Sequence, residues 1–246
     1  MKTIAVMIGC VLCLCISPVR HAVADAGETV LHRGLIEPSE VIEVSSQVPG
    51  IIEKVPVERG DRVKAGQVVA MLKAGVEKAQ VDLALTRLDF GKRKMLRNEE
   101  LHQKQLISIH ENDEMETEVR IMEIQLQEAQ ANLGLRTIYS PVNGIVVERH
   151  LGPGEYIGEG SVMTIACVDP LNVEVVVPAT LYGAIRKEMK AQVLPDDPPG
   201  GSYQGTVVIV DGVIDAASGT FGIRVRLANP GYRLPAGVNC QVRFFN

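Results

Sequence analysis

The chain has 246 residues, with 25 Lys and Arg against 30 Asp and Glu and a formal net charge of −5. Residues 1–24 carry only Lys2 and Arg20 as charged groups, so the remainder balances 23 against 30, or −7. An acidic chain with no tryptophan and 4% aromatics argues against tracking of nucleic-acid phosphates, which needs clustered Lys and Arg, and against stacking platforms for bases or sugars.

At the start, Lys2 precedes an apolar run from Ile4 to Ile16, then Ser17-Pro18 and Ala22-Val23-Ala24. This pattern of a cationic start, a short apolar stretch and a small-x-small site predicts a signal peptide over residues 1–24. The run falls short of the roughly 20 apolar residues a membrane span needs. An uncleaved anchor is one alternative. A lipidated Cys10 is another: Gly9 supplies the small residue before it, but the longer apolar run is missing. The expectation is a soluble, exported protein. Of its cysteines, Cys167 and Cys240 lie beyond the signal, in a compartment where a disulfide persists. Each sits in a β-like apolar run, and the sequence leaves open two separate buried thiols or one bridge.

An internal repeat organises the next part. Ser46-Gln47-Val48-Pro49-Gly50-Ile51-Ile52 aligns with Ser140-Pro141-Val142-Asn143-Gly144-Ile145-Val146 at an offset of 94 residues. The register keeps Gly50 with Gly144, Gly60 with Gly154 and Gly66 with Gly160. It also keeps Asp61 with Glu155, Val57 with Leu151, Val63 with Ile157, Val68 with Val162 and Met71 with Ile165. Each half reads as short strands joined by tight turns, with Gly50, Gly60 and Gly66 where the chain reverses. A half of about 30 residues cannot close a core alone, so the repeat predicts one β-sandwich assembled from residues 42–73 and 138–169.

Between the halves, residues 74–137 contain no proline and are rich in Glu, Lys, Gln, Leu and Arg, which favour helix. Met115, Val119, Met122, Leu126, Ala129 and Leu133 alternate spacings of four and three, the seam of a coiled coil. The first arm is rougher: Val81, Leu85, Leu88 and Met95 keep the pattern while Lys92 and Glu99 interrupt it. Ser108-Ile109-His110-Glu111 is a capping box that starts a second helix near Ile109. An antiparallel helical hairpin, with arms about 40 Å long, is predicted. A helical subdomain folded onto the sheet is the alternative.

The tail, residues 170–246, is strand-rich. Leu171 to Val177, Val207 to Val210, Gly222 to Leu227 and Val238 to Phe245 read as strands, with a surface loop over Pro195 to Gly201. Their spacing suggests a small β-barrel, and residues 25–41 supply it with a further strand. The fold class is therefore mostly β with an inserted α-helical hairpin.

This order of parts resembles the periplasmic adaptor proteins, or membrane fusion proteins, of tripartite efflux and secretion systems, the RND/HlyD-type adaptors. The likeness rests on Val48-Pro49-Gly50-Ile51-Ile52, on Gly60-Asp61-Arg62-Val63-Lys64-Ala65-Gly66-Gln67 and on Ile138-Tyr139-Ser140-Pro141-Val142-Asn143-Gly144. In the tail it rests on Asp215, Ser218-Gly219-Thr220, Arg224-Val225-Arg226, Asn229-Pro230 and Leu234-Pro235-Ala236-Gly237. The resemblance implies a lipoyl-like sandwich and a periplasmic, non-enzymatic protein without cofactor. Its implied partners are an inner-membrane transporter of RND or ABC type, a TolC-type outer-membrane channel and further copies of itself in a ring. It does not imply nucleic acid. Adaptors that dock onto TolC-type channels have an arginine, a leucine four residues on and a serine seven after that; Arg97, Leu101 and Ser108 stand at this spacing, which implies channel contacts at the hairpin tip. Longer adaptors continue into a further membrane-proximal domain, and this sequence stops at Phe245-Asn246.

Other functions have weaker support. A lipoyl or biotinyl carrier needs a lysine on the tight turn between the halves, whereas Lys73 stands at the base of the helical insertion. A periplasmic metal carrier would use His102 and His110 beside Glu111 and Glu114, without a compact His-x₃-His or Cys-x₂-Cys spacing. Ser140, Ser161 and Ser218 lack a Gly-x-Ser-x-Gly setting, and there is no His-Glu-x-x-His.

Overall fold

Two long strands, β1 (His32–Ser45) and β8 (Ser161–Pro178), run antiparallel to one another through the β structure. The computed structural model describes residues 30–103 and 108–245; the predicted signal peptide and Cys10 lie outside them. The remaining elements are β2 (Gly50–Lys54), β3 (Arg62–Val63), β4 (Val68–Leu72), α1 (Gly75–Gln103) and α2 (Ile109–Gly134). After them come β5 (Thr137–Tyr139), β6 (Gly144–Arg149), β7 (Tyr156–Ile157), β9 (Lys190–Pro195), β10 (Tyr203–Val210), β11 (Thr220–Leu227) and β12 (Asn239–Phe245).

One end of β1 and of β8 builds a barrel. The order β1-β12-β9-β10-β11-β8 closes on itself because β8 also pairs with β1. Leu171, Val173, Val175 and Val177 of β8 are buried, alternating with Glu174 and Val176, which is the period of a strand with one face in a core; Asn172, near the junction, is buried as well. Closure leaves no free edge. Five of the six strands follow from the apolar runs in the sequence. The missing one, β9, comes from Lys190-Ala191-Gln192-Val193-Leu194-Pro195, whose inward positions are Ala191, Val193 and Pro195, short side chains and a proline that do not read as a strand.

The other end builds the sandwich. Its sheets are β1-β8-β6-β3 and β5-β4-β2-β7, and the 94-residue offset converts one into the other. The correspondence reaches single hydrogen bonds. Gly60 N–H donates to Val146 O at 2.8 Å, and Gly154 N–H donates to Ile52 O at 2.8 Å. Likewise Ser46 Oγ donates to Val48 O at 2.6 Å and Ser140 Oγ to Val142 O at 2.7 Å. Gly60, Gly66, Gly154 and Gly160 all take positive φ. Gly50 and its mate Gly144 do not, which corrects the expectation of a reversal there. They begin strands where the chain approaches its neighbours closely: a Cβ on Gly144 would lie 2.5 Å from Ala166 O. Burial departs most from the repeat at one pair, which goes from exposed to buried. Ile165 is buried but Met71 is exposed: the shift in the β4–β5 ladder skips Val69, whereas the shift in the β8–β1 ladder skips Val162, one residue earlier in the repeat.

Where sandwich meets barrel, the β1–β8 ladder loses register between Pro38 and Glu40. Pro38 and Pro170 lie in this stretch, and proline has no N–H to give to a ladder. A strap from the barrel crosses the junction. Asn229, buried, donates to Val168 O at 2.9 Å and Leu234 O at 2.8 Å, and accepts from Leu234 N–H at 3.0 Å. Arg62 of β3 then donates to Gly231 O at 3.2 Å and lies 4.8 Å from the centre of the Tyr232 ring.

The register also settles the cysteines. Cys167 stands opposite Glu40, and Cys240 opposite Gly34, on the same strand β1. Six residues of strand separate them by about 20 Å, and both are free thiols. Burial raises the Cys240 thiol to about 11, so it stays protonated at neutral pH.

Candidate functional site

The two helices pack against each other and make only marginal contact with any strand, so they stand out from the sandwich as an arm. At 1.5 Å per residue, α1 with its 29 residues is about 43 Å long. In α2, Met115, Val119, Met122, Leu126, Ala129 and Leu133 are buried or half-buried, the seam expected from spacing, with Asn112 and Glu123 half-buried beside it. In α1 the seam is shifted. Val81, Ala84, Leu88, Gly91, Met95 and Asn98 face inward, while Leu85 is 44% exposed and Lys92 and Glu99 are exposed. Lys92 and Glu99 therefore do not interrupt the seam; they lie beside it. Gly91 explains the shift, because a Cβ there would come within 2.7 Å of Met122 Sδ, and its absence lets the helices approach. An isolated glycine inside a run of helix formers was the available signal. Beside the seam, Lys92 Nζ lies 3.0 Å from Glu123 Oε1 and Lys94 Nζ 3.6 Å from Glu118 Oε2.

At the base, Arg136 ties the arm to the sandwich. It donates to Glu77 Oε1 at 2.7 Å and to Pro49 O at 3.0 Å, so the first turn of α1, the end of α2 and the entry to β2 share one guanidinium. Both charged side chains are largely buried, where a charge-assisted bond is stronger than at the surface. Neither residue stands out in the sequence, since only the fold brings positions 77 and 136 together.

At the far end, Arg97 and Leu101 lie one turn apart in the last turns of α1, and Ser108 caps α2. Arg97 is exposed and Leu101 is 38% exposed. Ser108 Oγ accepts from Glu111 N–H at 3.2 Å, and Glu111 Oε2 accepts from Ser108 N–H at 2.8 Å and Oγ–H at 3.0 Å, closing the predicted box. These bonds hold the Glu111 carboxyl below its ordinary value. The same bonds commit Glu111 to the cap, weakening its use as a metal ligand beside His110. Among the described residues no three His, Cys, Asp or Glu side chains converge as a metal site. Lys73 is exposed, with its backbone N–H bonded to Ile51 O, and α1 begins two residues later. Arg97, Leu101 and Ser108 thus share one end of the arm.

Residues 40–166 match the family model described as CzcB-like, barrel-sandwich hybrid domain, and residues 171–246 match the one described as CusB-like, beta-barrel domain. The efflux pump periplasmic linker BepD of Brucella suis is 26% identical over 227 residues, covering 80% of this chain and 57% of that protein. The cobalt-zinc-cadmium resistance protein CzcB of Cupriavidus metallidurans is 24% identical over 246 residues, covering 91% and 47%. The chain thus spans about half the length of these curated relatives. Among solved structures, a MacA-MexA chimera containing the Pseudomonas aeruginosa MexA α-hairpin domain superposes with a TM-score of 0.73 at 18% identity, covering 87% of this chain and 78% of the other.

Proposed function

The chain belongs to the CzcB-like barrel-sandwich hybrid family, and from that membership we propose that it is the periplasmic adaptor of a tripartite efflux pump. In this reading it is exported by its signal peptide and associates with an inner-membrane transporter through its β-domains. Copies assemble into a ring, and the arms, packed as coiled coils, reach a TolC-type outer-membrane channel. The protein is a scaffold, not a catalyst. Among the described residues no helix is long and apolar enough to cross a membrane.

The observation that carries the proposal is the arm itself: two helices of 29 and 26 residues held at the base by Arg136 and exposing Arg97, Leu101 and Ser108 at the other end. Arg97 offers a fork of donors to carbonyls or carboxylates, Leu101 an apolar knob and Ser108 a hydroxyl at the turn. Binding of the purified chain to a TolC-type channel from the same cell tests it. Arg97→Asp and Leu101→Asp should each lower affinity at least tenfold with unchanged melting temperature. Ser108→Asn keeps a good N-cap and separates capping from contact. Equal binding by all variants, or none by the wild type, contradicts tip docking.

A further inference from the structure

A groove of about 490 Å³ lies where the sandwich meets the barrel. Ile145 and Val147 of β6 and Ala166 and Val168 of β8 line it from the sandwich, and Tyr232 and Pro235 of the strap line it from the barrel. Among the described residues no charged side chain lines it. Val147 is 46% exposed there, so the groove is an open apolar surface and not a sealed void in the core. Small-molecule sites span about 300–1,000 Å³ and are mostly apolar, with a few polar groups that fix orientation.

Tyr232 also lines a second cleft, of about 420 Å³, together with Arg62, Lys64, Gln67 and Asp169. Acceptors in this cleft are already engaged. Gln67 Oε1 accepts from Lys64 N–H at 3.0 Å, and Asp169 Oδ1 accepts from Asn229 N–H at 2.9 Å. The cationic donors are less committed. Arg62 gives one nitrogen to Gly231 O, and neither Arg62 nor Lys64 has an ion-pair partner among the described residues. Two cations against one carboxylate leave the cleft net positive.

The residue shared by groove and cleft is held in an uncommon conformation. Tyr232 has φ +58 and follows Gly231 at φ +77, in the left-handed region that is costly for a residue with a Cβ. Glycine would take that position without strain. The tyrosine instead holds its ring 4.8 Å from the Arg62 guanidinium, at the boundary between apolar and cationic linings. Strain retained beside a lined cleft points to a use for the side chain.

We propose that this junction binds one molecule of a single-chain anionic amphiphile, with its apolar tail in the groove and its acid group at Arg62 and Lys64. The tail suits a lining without charge, and the acid suits donors that lack a carboxylate partner. The groove is concave and small, and a flat bilayer surface cannot enter it, so the ligand is a free molecule and not a membrane. Once bound, it touches sandwich and barrel together. The proposal goes beyond the adaptor reading and needs neither channel, transporter nor ring.

The test is calorimetric titration of the purified chain with dodecanoate, kept below its micelle concentration. Saturable binding of one molecule per chain is expected. Dodecanol, with the same tail and no charge, should bind at least fivefold more weakly. Lys64→Glu should lower dodecanoate affinity at least fivefold and leave dodecanol unchanged. Val147→Asp, at an exposed position, should lower both at least tenfold while keeping the circular dichroism spectrum of the wild type. A readout that needs no variant is methyl NMR, in which dodecanoate should shift Ile145, Val147 and Val168 and leave the methyl groups of the arm unmoved. Absence of saturable binding, unchanged dodecanoate affinity in either variant, equal affinity for dodecanol, or shifts confined to other methyl groups would each overturn the proposal. So would binding to phosphatidylglycerol vesicles with none to free dodecanoate, which would assign the surface to a membrane. Channel binding enters none of these readouts, so tip docking and this proposal fail separately.

Discussion

Glycine serves two separate purposes in the repeated half-sandwich, and substitution should tell them apart. Gly60 has φ +93 and nothing within 4 Å of where a Cβ would be; Gly144 has ordinary φ but backbone at 2.5 Å. Gly60→Ala should cost about 1–2 kcal/mol from left-handed strain, and Gly60→Asn should cost less, since asparagine tolerates that region. Gly144→Ala should cost about 1–3 kcal/mol from overpacking, and Gly144→Asn should cost more. Urea midpoints check the order, which is opposite at the two sites. The same split explains what was readable. A glycine at a regular offset marks a special position, but only the placed neighbours show whether backbone angle or space requires it.

At the scale of elements, the arm depends on ties at both ends. Arg136→Ala would strand the Glu77 carboxylate, leave Pro49 O without its donor and lower the stability of the arm's base by about 2 kcal/mol. Amide hydrogen exchange should show the loss in the first turn of α1 and the last turn of α2, with the barrel amides unchanged. Uniform loss across the chain would mean that Arg136 supports the whole sandwich. Much of the element scale was legible. The capping box set the start of α2, and the four-and-three spacing set its seam, because both signals are local. The α1 seam lies one position from the expected line at three points: Ala84, Gly91 and Asn98 face inward where spacing puts Leu85, Lys92 and Glu99, because close approach of two helices is not a local signal. Strand β9 was hidden for a similar reason. Its three inward residues are an alanine, a valine and a proline, and it is recognisable only between β10 and β12.

At the scale of the molecule, β1 and β8 each pass through both barrel and sandwich, so the two share strands and not merely a linker. Arg62 and the strap at Asn229 to Leu234 add contacts across the same junction. In the proposed adaptor these shared strands would connect the barrel to the base of the arm. The sequence order of halves, insertion and barrel was enough to suggest that architecture. The clamp at Arg136 was not readable, since it depends on residues far apart in the chain.

As a proposed adaptor, one molecule engages a partner at each end. The most direct measurement is co-purification of the tagged full-length chain from cross-linked cell envelopes, followed by identification of what comes with it. The account predicts an inner-membrane transporter and an outer-membrane channel together, with Arg97→Asp losing the channel and keeping the transporter. Recovery of neither, or of a channel that persists unchanged with Arg97→Asp, would contradict it.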